Sequence, residues 1–238
     1  MKKFKADLHI HTCLSPCGDL EMSPRNIIWK AKDKGLDIIG ITDHNSTRNV
    51  MTCFELGRKN NIFVVGGCEI NTREEVHCLA FFPDFDTLEL FQKFIDKFLP
   101  PIPNNKAIFG YQVAVDAYDN IIYKENKALI AALDIDIETV SETVIGLGGI
   151  FIPAHVDKSK NSIFSQLGFI PKNLKYHALE LLWRTDKINF IAKHRDLADQ
   201  IFIQNSDAHY LDEIGRAEME LNLDDPNWEG IKKAFKIK

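Results

Sequence analysis

No stretch of this chain approaches the roughly 18 consecutive apolar residues that a membrane-spanning helix requires, so a membrane partner is not expected. Its beginning, Met1-Lys2-Lys3-Phe4-Lys5-Ala6-Asp7, is basic but runs into no apolar core segment, which argues against a secretory signal peptide and for a cytoplasmic location. Cysteine is scarce and odd in number: five residues, Cys13, Cys17, Cys53, Cys68 and Cys78, lack any paired zinc-ribbon spacing, which excludes a disulfide framework and suits reduced thiols. Positive charge is also short. The formal net charge of -5 leaves no basic footprint for a nucleic-acid groove and disfavours an extended nucleic acid as partner, although bound cations would offset part of that acidity. Internal repeats and low-complexity tracts are absent as well.

What is present is an ordinary globular balance, 45% hydrophobic and 26% charged over 238 residues, enough for one large core and a single domain over 1–238. The stretch around which the chain is organised is Asp7-Leu8-His9-Ile10-His11-Thr12. On a strand, side chains at i and i+2 leave the same face, so His9 and His11 can close on one ion while Leu8 and Ile10 turn into apolar packing. Alone, the pair reads equally as two satisfied histidines; its weight comes from the polar groups that close the later strands.

Short apolar runs then alternate with helical patterns. A helix over 25–34 has Ser23 as N-cap and Pro24 in its first turn, and the block 36–41 ends in Thr42-Asp43-His44-Asn45. A helix over 47–59 precedes the run 62–65 and Gly66-Gly67-Cys68-Glu69; a strand over 75–82 carries His77, and a helix over 87–98 comes next. The segment 99–120 has no sustained period and reads as a lid or excursion loop. Helices over 125–133 and 137–147 lead to a strand ending in Pro153-Ala154-His155-Val156-Asp157. A weaker strand over 178–182 ends in Trp183-Arg184, and the run 201–203 ends in Asn205-Ser206-Asp207-Ala208-His209. Strands alternating with helices imply right-handed βαβ units and a parallel sheet. Six of the eight histidines, with Glu69 and Asp207, fall at or near strand ends, where a β/α barrel gathers its active site; an open sheet would concentrate them at one or two switch points. The other two, His177 and His194, read as surface residues. The expected fold is α/β, a distorted (β/α)7 barrel. Cys13 and Cys17 flank His11 closely enough to offer a thiolate, but small thiols more often serve as inert apolar filling.

Taken together, Asp7-Leu8-His9-Ile10-His11-Thr12, Ile41-Thr42-Asp43-His44-Asn45, Glu69 with His77, Pro153-Ala154-His155-Val156-Asp157 and Ser206-Asp207-Ala208-His209 resemble the polymerase and histidinol phosphatase (PHP) superfamily of metal-dependent phosphoesterases. The order and spacing of five separated motifs carry the resemblance over nearly the whole chain. It implies up to three divalent ions, zinc, manganese or iron. His9, His11, Glu69 and Asp207 would hold one; Glu69 would bridge to a second held by His77 and His155; Asp19, His44 and His209 would hold the third. Asp19 departs from the family's compact Ser-Asp-Gly, since this chain reads Ser15-Pro16-Cys17-Gly18-Asp19. Asp7 and Asp43 are expected to orient ligand imidazoles.

The chemistry so implied is phosphoester hydrolysis by a metal-activated hydroxide, with His9, His11, Glu69, Asp207 and His209 as the catalytic set and a small phosphorylated metabolite or nucleotide as substrate. Lys158, Arg184 and Arg216 are candidate phosphate contacts. A nuclease acting on nucleic-acid ends is the alternative. A metal-dependent amidohydrolase, whose barrel also opens with His-x-His, and a non-catalytic PHP module are weaker rivals: the early Thr-Asp-His and late Asp-x-His differ from the first, and all nine ligand positions hold competent donors, unlike the second.

Overall fold

The computed structural model describes residues 1–237. Ten strands and eight helices follow one another in it: β1 (Lys2–Ile10), α1 (Pro24–Asp33), β2 (Ile38–Ile41), α2 (Val50–Lys59), β3 (Phe63–Asn71), β4 (His77–Phe81), α3 (Phe85–Phe98), α4 (Lys106–Phe109), β5 (Gln112–Val115), β6 (Ile121–Glu125), α5 (Ile137–Gly146), β7 (Ile150–Pro153), α6 (Ile163–Leu167), β8 (Leu179–Leu181), α7 (Lys187–Lys193), β9 (Phe202–Gln204), β10 (Met219–Leu223) and α8 (Trp228–Ala234). Helix starts follow local chemistry. Ser23 caps α1 by accepting from the Asn26 N–H, with Pro24 behind it, and Asp84 caps α3 by accepting from Thr87.

Six strands form one curled sheet in the order β10-β1-β2-β3-β4-β7, and β8 pairs with β9 separately. The sheet is mixed rather than parallel. β1, β2 and β3 run together, but β4 reverses on β3 with Glu69 opposite Leu79 and Asn71 opposite His77, and β7 reverses again on β4. The connection from Asn71 to His77 is too short for a helical crossover, so the chain makes a hairpin there instead of a βαβ unit. The β8–β9 pair meets the sheet at both sides through short contacts, among them Val156 N–H to Glu180 O at 2.8 Å and an Ile10–Ala208 bridge.

Three further expectations are corrected. The segment 99–120 is not featureless: it contains α4 and β5, and β5 pairs with β6 as a hairpin pinned to α2 by Thr52 Oγ1 to Val115 O at 2.8 Å. No helix forms over 125–133, because buried amides claim the backbone: Asn45 Nδ2 donates to Leu129 O and Ala131 O, and Asn71 Nδ2 to Ile130 O. His177 is half-buried rather than on the surface, its Nδ1 accepting from the Phe151 N–H.

Alternation on the strands sets where the core and the polar cluster lie. Val64, Cys68, Ile70, Cys78, Ala80 and Phe151 face the helices and pack with Ile28, Cys53, Phe91 and Val144. On the opposite face Val65, Leu79, Phe81 and Ile152 form an apolar plug, and Glu69 and His77 share their side of the strands, so the polar groups stand on a dry floor.

Candidate metal centre

Eight acidic and imidazole side chains from six strands converge at one rim. His9 is near the end of β1 with His11 just past it, His44 follows β2, Glu69 lies late in β3, His155 follows β7, and Asp207 and His209 follow β9. His77 stands at the beginning of its strand, and it is the reversal of β4 that brings it to the same rim. His155 (φ 28°) and Asp207 (φ 51°) hold left-handed backbone, a strained geometry tolerated where surrounding contacts over-determine it.

The distances are those of donor atoms gathered about common points. His9 Nε2 and His11 Nε2 lie 3.2 Å apart. Glu69 Oε2 is 3.6 Å from the first and 3.4 Å from the second, and Asp207 Oδ1 is 3.4 and 3.5 Å from them. The other Glu69 oxygen lies 3.0 Å from both His77 Nδ1 and His155 Nε2, and His44 Nδ1 is 3.2 Å from Glu69 Oε2. Glu69 thus stands between two groups of imidazoles, as a bridging carboxylate would. Three sets of donors lie within 4.8 Å of one another: His9, His11 and Glu69; His44, Glu69 and His77; and His11, Cys17, His44 and His209.

Hydrogen bonds on the far side of the rings assign the lone pairs. His9 Nδ1 faces both oxygens of buried Glu180, at 3.1 and 3.0 Å, so it carries the proton and Nε2 is left bare. Ser15 Oγ gives its one proton to Asp43 Oδ1 at 2.7 Å and must therefore accept from His11 Nδ1 at 3.0 Å, which bares His11 Nε2 as well. In the neutral rings two bare nitrogens would stand 3.2 Å apart between two carboxylates and repel unless a cation or a proton lay among them, and buried His77 Nε2 and His155 Nδ1 have no hydrogen-bond partner among the described residues. This donor set, imidazole and carboxylate, fits zinc, manganese or iron.

The charges answer one another. Burial alone would raise the Glu69 carboxyl, but the imidazoles of His77, His44 and His9 outweigh it and hold it well below its ordinary range. Asp207 is likewise held well below, burial being overcome by His9 and His11. Burial opposes the charged form of His9, yet Glu180, Asp207 and Glu69 raise it well above the usual imidazole value, and His11 rises against burial through Asp207 and Glu69. His209, driven by burial and then by the charge of His11, is lowered to about 4, and burial lowers His44 well below the usual value. Burial, then Glu69 and Asp207, pushes the Cys17 thiol up.

Asp19 is placed differently from the eight other candidate ligands. Its carboxylate accepts from the Glu21 N–H at 2.8 Å and its own N–H donates to His209 O at 3.0 Å, and the same loop brings Cys17 to the donor cluster instead. Asp43 reaches His11 through Ser15, whereas the Asp7 carboxylate takes the N–H groups of Ser206 and Gly215 at 3.0 and 2.9 Å and so anchors the loop that carries Asp207 and His209. Lys158 Nζ lies 3.1 Å from Asp207 Oδ2. Arg216 braces the same loop, donating from Nε to Ser206 O at 2.8 Å and pairing with Glu213, and Arg184 is exposed beyond β8. Glu180 was not among the sequence candidates. It receives His9 Nδ1, Asn205 Nδ2 at 2.7 Å and the His155 N–H at 3.0 Å, and its one sequence signal is a lone charge inside the apolar run Leu179-Glu180-Leu181.

A mixed α/β scaffold carrying this arrangement defines a protein with clustered donors able to hold divalent metal. The PHP domain model matches residues 7–148, and the chain belongs to that family. The structure superposes on a lesion-specific endonuclease, PfuEndoQ of Pyrococcus furiosus, with a TM-score of 0.75 at 21% identity, covering 99% of this chain and 56% of that one. A protein of Bifidobacterium adolescentis, provisionally assigned as a metal-dependent phosphoesterase, gives 0.64 at 17% identity, covering 97% and 95%. In sequence, the uncharacterized protein YqxK of Bacillus subtilis is 25% identical over 99% of this chain. The chain spans 62% of YqxK, as it spans little more than half of the endonuclease.

Proposed function

We propose that this chain is a metal-dependent phosphoesterase that hydrolyses a phosphate ester at this centre. The observation that carries the reading is the approach of His9 Nε2 to His11 Nε2, 3.2 Å apart and flanked by Glu69 and Asp207. His9, His11, Glu69 and Asp207 would hold one divalent ion, His77 and His155 with Glu69 a second, and His44 and His209 a third. When bound, such ions supply positive charge against phosphoryl oxygens and a nucleophile from water at neutral pH. The rest falls to this chain's own groups. Glu180 and Ser15 lock the two imidazole tautomers, so that no rotation or proton shift is needed as the ester arrives. Burial opposes the charge of Lys158, but Asp207 and Glu69 keep its ammonium charged, and its outer face is free to meet a phosphoryl oxygen. His209, lowered to about 4, is neutral at pH 7, and with its Nδ1 donating to Asp207 O at 2.8 Å its Nε2 is the nitrogen left for the third ion.

The compact rim and the net charge of -5 favour a phosphorylated metabolite or nucleotide. One observation favours a second reading, a nuclease: the fold is shared with an endonuclease over 99% of this chain. The contacts of the β8–β9 pair with β1 and with the segment after β7 support reading the strands as a distorted seven-stranded ring, the β5–β6 hairpin as its rim flap, and the five free cysteines as those of a cytoplasmic protein. The test is hydrolysis of p-nitrophenyl phosphate, bis-p-nitrophenyl phosphate and an end-labelled oligonucleotide by protein loaded with zinc, manganese or iron. We expect monoester turnover that falls by roughly two orders of magnitude in Glu69→Gln. Turnover of only the diester and oligonucleotide selects the nuclease, and turnover of none by folded, metal-loaded protein overturns both.

A further inference from the structure

We propose that Cys17, rather than Asp19, is the protein ligand that joins His44 and His209 at the third ion, so that this position is a thiolate site selecting zinc or ferrous iron over manganese and magnesium. The inference rests on reading the cluster as a metal centre and adds to it the donor and the metal class. Cys17 Sγ lies within 4.8 Å of donor nitrogens of His11, His44 and His209, all of which also lie within that distance of one another. The second observation is independent of the sulfur: buried His44 Nδ1 has no hydrogen-bond partner among the described residues. It lies 3.2 Å from Glu69 Oε2 without making a hydrogen bond to it.

The loop that presents the thiol gives Asp19 partners of its own. Gly18 passes so close to Thr12 that a Cβ there would lie 2.4 Å from the Thr12 carbonyl oxygen, and Gly18 N–H donates to Ser15 O at 3.0 Å. Just beyond, Asp19 N–H is stitched to His209 O while its carboxylate closes the turn to Glu21. Cys17 is left at the mouth, the one of the five cysteines exposed as a residue while its sulfur turns inward to the donor nitrogens, and the other four are buried. Thiolate with imidazole is a softer donor set than carboxylate with imidazole, and soft donors favour zinc and ferrous iron. Three protein ligands also leave an open position, as catalytic zinc sites do.

The test is spectroscopic and does not depend on turnover. Metal-free protein is titrated with cobalt(II), and the near-ultraviolet sulfur-to-cobalt charge-transfer band is followed in the wild type, Cys17→Ser and Asp19→Asn, with bound zinc counted in parallel. We expect the band in the wild type and in Asp19→Asn, its loss in Cys17→Ser, and one fewer zinc in Cys17→Ser. Circular dichroism verifies that the variants fold. Cobalt bound with no such band, a band that survives in Cys17→Ser, or loss of a metal in Asp19→Asn alone overturns this inference and leaves the proposed centre standing. Failure of folded wild-type protein to bind cobalt or zinc at all overturns both.

Discussion

Glu180 shows how much of a metal site lies behind its ligands. An imidazole can present either nitrogen, and only a partner on the far side decides which; here the carboxylate of Glu180 accepts from His9 Nδ1–H and also holds the backbone of His155 and the amide of Asn205. Glu180→Gln keeps the volume and one acceptor but can present its amide N–H to His9 Nδ1, so it permits the wrong tautomer. We expect zinc affinity to fall about 10- to 100-fold with the fold intact, measured by competition with a chromogenic chelator; an unchanged affinity would show that tautomer control is unnecessary. The six histidines, Glu69 and Asp207 that gather at the rim stood out in sequence because polar groups closing apolar runs are costly unless used. Glu180 was not, since nothing in a three-residue strand says which of its side chains will meet His9, 171 positions away in the chain. Cys17 and Asp19 are close neighbours in sequence, and only the closure of the loop on Thr12 and His209 decides which of them faces the ions.

At the scale of elements, the hairpin of β3 and β4 does the positioning. Its register places Glu69 opposite Leu79 and His77 opposite Asn71, and it depends on Gly67, where a Cβ would meet Ala80 O at 2.1 Å and Phe81 Cδ1 at 2.8 Å. Gly67→Ala must push the two strands apart, which overpacking data put at a cost of about 1–3 kcal/mol. We expect a lower urea midpoint together with weaker metal binding, because the same shift separates Glu69 from His77. Gly146→Ala, at the end of α5 where a Cβ meets nothing within 4 Å, serves as the control and should leave both unchanged or raise stability by about 0.5–1 kcal/mol. If Gly67→Ala lost stability without losing metal, the hairpin would not be what sets the ligand spacing. The strands and helices that frame the site were readable from period and capping, whereas α4, β5, β6 and α6 were not, nor was strand direction: an apolar run looks alike whichever way it enters a sheet, and the reversal at β4 comes from the short connection and from pairing. The failed helix over 125–133 has the same origin, its carbonyls being claimed by Asn45 and Asn71 from distant elements.

For the molecule as a whole, metal and protons compete for the same nitrogens, and the sign of that competition is set by the raised values of His9 and His11. Burial disfavours their charge, but Glu180, Asp207 and Glu69 surround the two rings, so in metal-free protein they keep their protons above the ordinary imidazole value. An incoming ion must displace those protons. The displacement costs about 1.4 kcal/mol per proton for each pH unit below the raised value, and the cost vanishes once that value is passed. His209, at about 4, and His44, lowered well below its usual value by burial, are already neutral and add nothing across this range. The raised Cys17 thiol, if it ligates, acts in the same direction as His9 and His11. Since the ion binds the folded chain, its contribution to stability is set by how far its concentration exceeds the dissociation constant, about 2.7 kcal/mol at a hundredfold excess. The melting temperature of zinc-loaded protein should therefore exceed that of chelator-treated protein, and the gap should widen as the pH is raised from about 6 to about 8 at constant free zinc, across the range where imidazoles titrate. Calorimetry in two buffers of different ionisation enthalpy should register protons released on zinc binding, more of them at the lower pH. A gap that narrows with rising pH, or binding that releases no protons, would mean that His9 and His11 do not face the ion with the nitrogens assigned to them.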